Sequence, residues 1–226
     1  MHLPHNLSKK ILAWYDNNSR ALPWRVSKKS PKKLYYRLLS EFMLQQTQVK
    51  TVLPYFKNFL LHYPTLESLS KSNEKKILKL WEGLGYYRRA RNLLATAKML
   101  VKEHDSKLPN KIFDIKKLPG IGDYTANALL AFVYDQPTIA IDGNVKRVFS
   151  RIINRSETTI DLVKIIESSS KFLFNTKRNS DFAEALMEFG ALICKPKEPE
   201  CFKCNIRSLC KYFKSNKKFK QIKKFQ

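Results

Sequence analysis

Leu118-Pro119-Gly120-Ile121-Gly122 stands between two stretches of helical apolar patterning, residues 90–101 before it and 126–134 after it. The two glycines free the backbone to turn tightly, and a helix N-terminus is expected just beyond them, at about Asp123 to Thr125. Amide N–H groups exposed at Gly120 and Gly122 suit a phosphate, so the segment has the makings of a grip on a nucleic-acid backbone that reads no bases. An ordinary helix-to-helix turn with glycine at the cap has the same local sequence.

Working outward from this turn, apolar residues recur with a period near 3.6 over residues 7–14, 34–55, 75–84, 145–153, 159–174 and 181–193. No run alternates with period two for long enough to build a sheet, and glycine is scarce, at 6 residues. The fold class predicted is all-α. Ser30-Pro31, Tyr63-Pro64, Leu108-Pro109 and Gln136-Pro137 mark turns between the helices, and no internal repeat is evident.

Twenty residues beyond Gly122 the chain runs Ile139-Ala140-Ile141-Asp142-Gly143-Asn144-Val145, an apolar approach that ends in an acid at the mouth of a new helix. Asp142 there reads as an N-cap. A capped carboxylate is also fixed, ionised and able to face a developing cation. A second acid, Glu41, lies among Leu38, Leu39, Phe42, Met43 and Leu44, where a carboxyl is either a salt-bridged structural acid or a tuned catalytic one.

All four cysteines fall in one short segment, Cys194, Cys201, Cys204 and Cys210, spaced C-x6-C-x2-C-x5-C. Clustering of this kind is ligand geometry: four thiolates could close a tetrahedral zinc site or hold a [4Fe-4S] cluster. Only Cys201 and Cys204 form the two-residue knuckle common in zinc sites. Two disulfides are the lesser alternative, since no secretory segment points to an oxidising compartment.

The balance of 43 Lys+Arg against 19 Asp+Glu gives a net charge of +24, beyond what solubility needs, and points to a polyanionic partner, nucleic acid first. No apolar run reaches membrane-spanning length and no lipidation motif opens or closes the chain, so no membrane partner is expected. An apolar content of 43% suffices for a buried core. Residues 211–226 carry seven lysines and no acid, which reads as a solvated tail or the start of a linker.

Taken together, Leu118-Pro119-Gly120-Ile121-Gly122, Asp142 and the four-cysteine loop resemble the helix-hairpin-helix DNA glycosylases of the endonuclease III superfamily. The resemblance runs from about Leu22-Pro23-Trp24-Arg25 to Cys210. Within the superfamily the match is to MutY-type adenine DNA glycosylases, through residues 40–49 (SEFMLQQTQV) and 81–87 (WEGLGYY). It implies a [4Fe-4S] cluster on Cys194, Cys201, Cys204 and Cys210. It also implies double-stranded DNA containing a mispaired adenine as partner, a monomer, and a bacterial cytoplasmic, nucleoid-associated setting.

The resemblance also implies roles. Bifunctional members carry a lysine two residues after the hairpin's last glycine, for an imine with the sugar; this chain has Tyr124 there, so base excision without strand cleavage is expected. Glu41 matches the acid that protonates adenine N7, and partial burial is expected to favour the protonated form that a proton donor needs. Asp142 matches the carboxylate that stabilises the oxocarbenium sugar, with Tyr124 beside it and Asn144 orienting water and acid. Glu184 matches the acceptor for the exocyclic amine of the flipped base, and Arg20 and Trp24 match pocket-lining positions. Leu44, Gln46, Thr47, Leu84 and Tyr86 match the substrate-contacting pocket and the wedge entering the stack beside the opposing base. A thymine (G:T) mismatch glycosylase, a glycosylase-lyase and a non-enzymatic iron-sulfur DNA-binding protein are the alternatives.

Patterning and resemblance together predict a six-helix domain over 26–135 and a cluster domain from 1–25 and 136–214, with DNA between them and a basic tail over 215–226. Family members continue into a C-terminal Nudix-like domain that contacts 8-oxoguanine. This chain stops in its lysine-rich segment, so weaker discrimination of 8-oxoguanine from guanine is expected. An apparent extra turn of sequence lies between Arg25 and Glu41 and contains Tyr35 and Tyr36.

Overall fold

The computed structural model describes residues 3–4, 6–158, 161–174 and 176–216. These form α1 (Leu7–Asn18), α2 (Lys33–Leu44), α3 (Val49–His62), α4 (Leu66–Ser70), α5 (Glu74–Trp81), α6 (Arg88–Glu103), α7 (Ile112–Ile115), α8 (Asp123–Tyr134), α9 (Gly143–Ile153), α10 (Leu162–Leu173), α11 (Asn179–Leu192) and α12 (Lys211–Ser215). There is no strand among the described residues, and the fold is all-α. Contacts divide it into two compact units, one from Ala21 to Tyr134 and one made of the residues up to Arg20 with those from Asp135 onward.

The continuous unit is built around one apolar core. Helix α6 turns Ala90, Leu93, Leu94, Ala97 and Leu100 inward at helical spacing, and α3 does the same with Val52, Phe56 and Phe59. Trp81 is fully buried at the end of α5, edge-on to Phe59 with centroids 6.0 Å apart, and its indole N–H donates to the Gly85 carbonyl at 3.0 Å. Tyr35 and Tyr36 face this core as well: Tyr35 donates to the Tyr63 carbonyl at 2.7 Å and Tyr36 meets Phe56 edge-on. Leu22 and Trp24 belong to the same core, which is why this unit begins at Ala21 rather than at the expected residue 26. It carries α2–α8, of which α4 and α7 are only about one turn long.

The single apolar run at 34–55 is two helices. Helix α2 stops at Leu44, Gln46 takes the left-handed conformation (φ +57°), and α3 starts at Val49. No glycine or proline announces this break.

In the discontinuous unit α1 packs on α11, with Trp14 edge-on to Phe189 at 5.0 Å and Arg178 bridging Asp16 (2.6 Å) and Asp181 (2.7 Å). Helix α9 lies against α11 and ends in a left-handed cap at Asn154. Residues 211–215 correct the expectation of a solvated tail starting at Lys211: they form α12, and Phe213 is buried edge-on to Phe202. The rest of the expected tail, from residue 217 on, lies outside the described residues.

Candidate active site

The hairpin forms as a tight turn into α8. Gly120 has φ +77°, and a β-carbon there would fall 2.5 Å from Asn92 Nδ2, so glycine is required on two counts. Asn92 and Thr96, whose hydroxyl donates to the Pro119 carbonyl at 2.9 Å, brace the turn from α6. Gly120 and Gly122 are exposed, and Lys116 pairs with Asp123 at 2.5 Å beside them. The start of α8 is thus at the surface, where an anion grip would have to be. Tyr124, second residue of α8, is half-buried.

Glu41 sits in the last turns of α2, only 6% exposed, with Leu38, Phe42 and Met43 fully buried around it in the chain. Just beyond it, the turn of Gln45, Gln46 and Thr47 reaches the surface, with Gln46 exposed, Leu44 and Thr47 half-buried, and Gln45 Nε2 3.4 Å from Thr125 Oγ1. A second turn, residues 83–86, has three successive departures to positive φ, at Gly83 (+88°), Gly85 (+74°) and Tyr86 (+50°). It buries Leu84 but turns both tyrosines outward, Tyr86 61% and Tyr87 41% exposed. These rings are thus not core, a point the bare sequence leaves open. Trp24 is the reverse case: at 3% exposure and edge-on to Phe56, it stands in the core.

Asp142 caps α9. Its Oδ1 accepts from the Val145 amide at 2.7 Å and its Oδ2 from Asn144 Nδ2 at 2.8 Å, so both oxygens are fixed in place by donors at the N-terminus of the helix. Asn144 is held in turn by Arg147, whose Nη2 donates to Asn144 Oδ1 at 2.7 Å while its Nε donates to the Cys194 carbonyl at 2.7 Å. One buried guanidinium thereby joins the acid's partner to the first cysteine.

In the same unit Glu184 is 5% exposed and accepts from the Tyr15 hydroxyl at 2.7 Å; it is not a solvent-facing charge. Glu188, one turn on, accepts from two side-chain nitrogens of Arg20, Nε at 2.7 Å and Nη2 at 2.9 Å, together with the Arg20 amide at 3.0 Å. Sequence reasoning named Arg20 and Glu184 but passed over Tyr15 and Glu188. The i, i+4 spacing of two acids on a largely apolar helix was the available signal.

The four cysteines are not paired in disulfides and line one cavity together with Val148, Phe189 and other side chains, most of them apolar. Arg151 Nη1 lies 3.4 Å from Cys194 Sγ, and Cys210 Sγ donates to the Arg151 carbonyl at 3.3 Å. Burial, reinforced by the neighbouring sulfurs, pushes the Cys201 thiol up to about 11 and that of Cys204 up to about 12. Among the described residues no three His, Cys, Asp or Glu side chains gather as ligands of a single metal ion. No helix among the described residues is long and apolar enough to cross a membrane.

Comparison with known proteins places this geometry. Residues 39–172 match the family described as HhH-GPD superfamily base excision DNA repair protein. An adenine DNA glycosylase of Buchnera aphidicola subsp. Baizongia pistaciae is 44% identical over 214 residues, covering 92% of this chain and 59% of that protein. The human adenine DNA glycosylase is 36% identical over 208 residues, 89% of this chain and 38% of that protein. The chain thus spans about three fifths or less of the curated relatives it matches. Among solved structures, a thermostable thymine-DNA glycosylase superposes with a TM-score of 0.81 at 26% identity, over 92% of this chain and 95% of that one. A trapped endonuclease III-DNA covalent intermediate shares the fold, with a TM-score of 0.74 at 21% identity over 92% of this chain and 93% of that one.

Proposed function

Because the chain belongs to the HhH-GPD superfamily of base excision DNA repair proteins, we propose that it is a monofunctional adenine DNA glycosylase. It hydrolyses the N-glycosidic bond of adenine mispaired with 8-oxoguanine or guanine in duplex DNA, acting as a monomer at the bacterial nucleoid. The observation that carries the reading is Asp142, an acid whose two oxygens are both pinned, by Val145 N–H and Asn144, at the N-terminus of α9. Oriented before any substrate arrives, this carboxyl group stabilises positive charge on the sugar without reorganising.

The chemistry divides between two carboxyl groups. Glu41 gives its proton to adenine N7, so that the base leaves neutral; the C1′–N9 electron pair goes with the base, and Asp142 faces the oxocarbenium ion left behind. Asn144, fixed by Arg147, orients the water that adds to C1′. Glu184, held by Tyr15, accepts from the exocyclic amine. Tyr124 supplies no amine for an imine, so the strand stays intact. The hairpin at Gly120 and Gly122 grips the backbone, while Leu44, Gln46, Thr47, Leu84 and Tyr86 meet the bases; Arg20, held by Glu188, and Trp24 are assigned to pocket-lining positions.

We assign a [4Fe-4S] cluster to Cys194, Cys201, Cys204 and Cys210; what supports it is that all four thiols line one cavity. Bound there, the cluster supplies a clamp on the segment that follows α11; the hydrolysis itself moves no electrons.

The second reading, removal of thymine opposite guanine, is favoured by the likeness to the thymine-DNA glycosylase structure. Base release from duplexes carrying adenine opposite 8-oxoguanine, adenine opposite guanine and thymine opposite guanine decides between them. Free adenine from the first two, with strand scission only after alkali, is the expected result. Release of thymine, or scission without alkali, overturns it.

A further inference from the structure

Arg89, in the first turn of α6, is buried, and its guanidinium faces two separate turns of chain. On one side Nη1 lies 2.7 Å from the Met43 carbonyl, 3.4 Å from that of Phe42, 3.0 Å from Thr47 Oγ1, and in close contact with the Gln45 carbonyl. On the other side Nη2 donates to the Leu84 and Gly85 carbonyls, each at 3.1 Å. The guanidinium carbon lies 5.6 Å from the Trp81 ring centroid and 5.3 Å from that of Tyr86.

The carbonyls of Phe42 and Met43 belong to the last turn of α2 and have no partner within the helix. A cation there is the favourable ending for a helix dipole. Arg89 thus ends the helix that carries Glu41, and the same side chain holds the 83–86 turn. Both turns contain a non-glycine residue in the left-handed region, Gln46 at +57° and Tyr86 at +50°, a conformation that persists only where surrounding contacts over-determine it.

We propose that Arg89 is a positioning residue that locks the turn of Gln45, Gln46 and Thr47 to the turn of Leu84, Gly85 and Tyr86, so that the two enter the duplex as one rigid wedge beside the opposing base. The inference rests on the glycosylase reading above. It requires arginine itself: a planar fork serves two acceptor sets on opposite sides at once, whereas a lysine ammonium is a single point on a flexible stem.

Arg89→Lys keeps the charge and removes the fork. Single-turnover adenine release from duplexes with 8-oxoguanine and with guanine opposite is expected to change unequally, the ratio of the two rates falling about fivefold or more as contacts to the opposing base lose register. A duplex with 2-aminopurine next to the mismatch reports wedge entry without chemistry; at saturating protein the variant is expected to brighten it less than the wild type does. Equal losses on both duplexes, with wild-type brightening, would mean a merely structural arginine and overturn the inference while leaving the glycosylase reading intact. A wild-type protein that neither releases adenine nor brightens the probe removes that reading and this inference with it. Should Arg89→Lys fail to fold, hydrogen exchange on the wild type decides. The Thr47 amide, bonded to Leu44 O, and the Leu84 amide, bonded to Trp81 O, are expected to open as one unit. Opening free energies that differ by more than about tenfold in the equilibrium overturn the inference.

Discussion

Gly190 and Asn144 approach so closely that no side chain fits between them: a β-carbon on Gly190 would lie 2.6 Å from Asn144 Cβ and 2.9 Å from its carbonyl oxygen. Gly190 is buried inside α11, and the backbone it meets is the first turn of α9, where Asp142 is held. At an exposed helix position Gly→Ala stabilises by about 1 kcal/mol. Here the sign reverses, since overpacking of a core contact costs about 1–3 kcal/mol. Gly190→Ala is expected to lower the melting temperature and slow single-turnover excision while duplex affinity holds. An unchanged melting temperature and rate would show that α9 yields freely.

Glu41→Gln is expected to keep DNA binding and to cut adenine release by about 10² to 10⁴, the usual worth of a general acid. Asp142→Asn retains an N-cap of similar quality but loses the charge, so excision falls with little change in melting temperature. Single-turnover kinetics on adenine opposite 8-oxoguanine reads both. Rates within a few fold of wild type in either variant sink that residue's role.

Anaerobically purified protein is expected to be brown and to hold about four irons per chain. Cys201→Ser, at a buried cavity wall, should lose most of that iron and, with it, solubility or DNA affinity. Elemental analysis finding zinc in place of iron refutes the cofactor assignment.

Duplex affinity should fall steeply with salt, by about 0.9 in log K per unit log salt for each phosphate neutralised. Gly120→Ala forces a side chain into the left-handed region and onto Asn92, which should break the grip, weaken binding to undamaged duplex and flatten that slope by roughly one phosphate. A titration series that superposes on the wild type's would show that the hairpin carries no backbone contact.

Helix existence was legible because 3.6-residue periodicity is a local signal: the runs at 90–101, 126–134, 145–153 and 181–193 all lie within helices or within a residue of their ends. The break at 45–48 was not. The carbonyls at that helix end are met by Arg89, more than forty residues along the chain, a partner that local sequence does not announce. Asp142 could be read as a cap from its own neighbours, yet the second donor to it and the Arg147 behind that donor needed the fold. Glu188 was missed for the same reason, because the partner that gives it meaning, Arg20, is 168 residues away. Periodicity reports what faces inward; it is silent on which buried polar groups meet.

The discontinuity of the cluster-bearing unit has a consequence for biosynthesis. Helix α1 is made first, but the surface that covers its Leu7, Ile11 and Trp14 includes α11, which begins about 160 residues later. At about 5–20 residues per second, roughly 8–30 s pass before that partner has been synthesised. The Ala21–Tyr134 unit is contiguous and can close during this interval, leaving α1 as an unpaired apolar flag on a half-made chain. The order of synthesis thus favours closure of the continuous unit before α1 finds its partner. A nascent chain stalled between Tyr134 and Asn179 should be the species that chaperones hold longest.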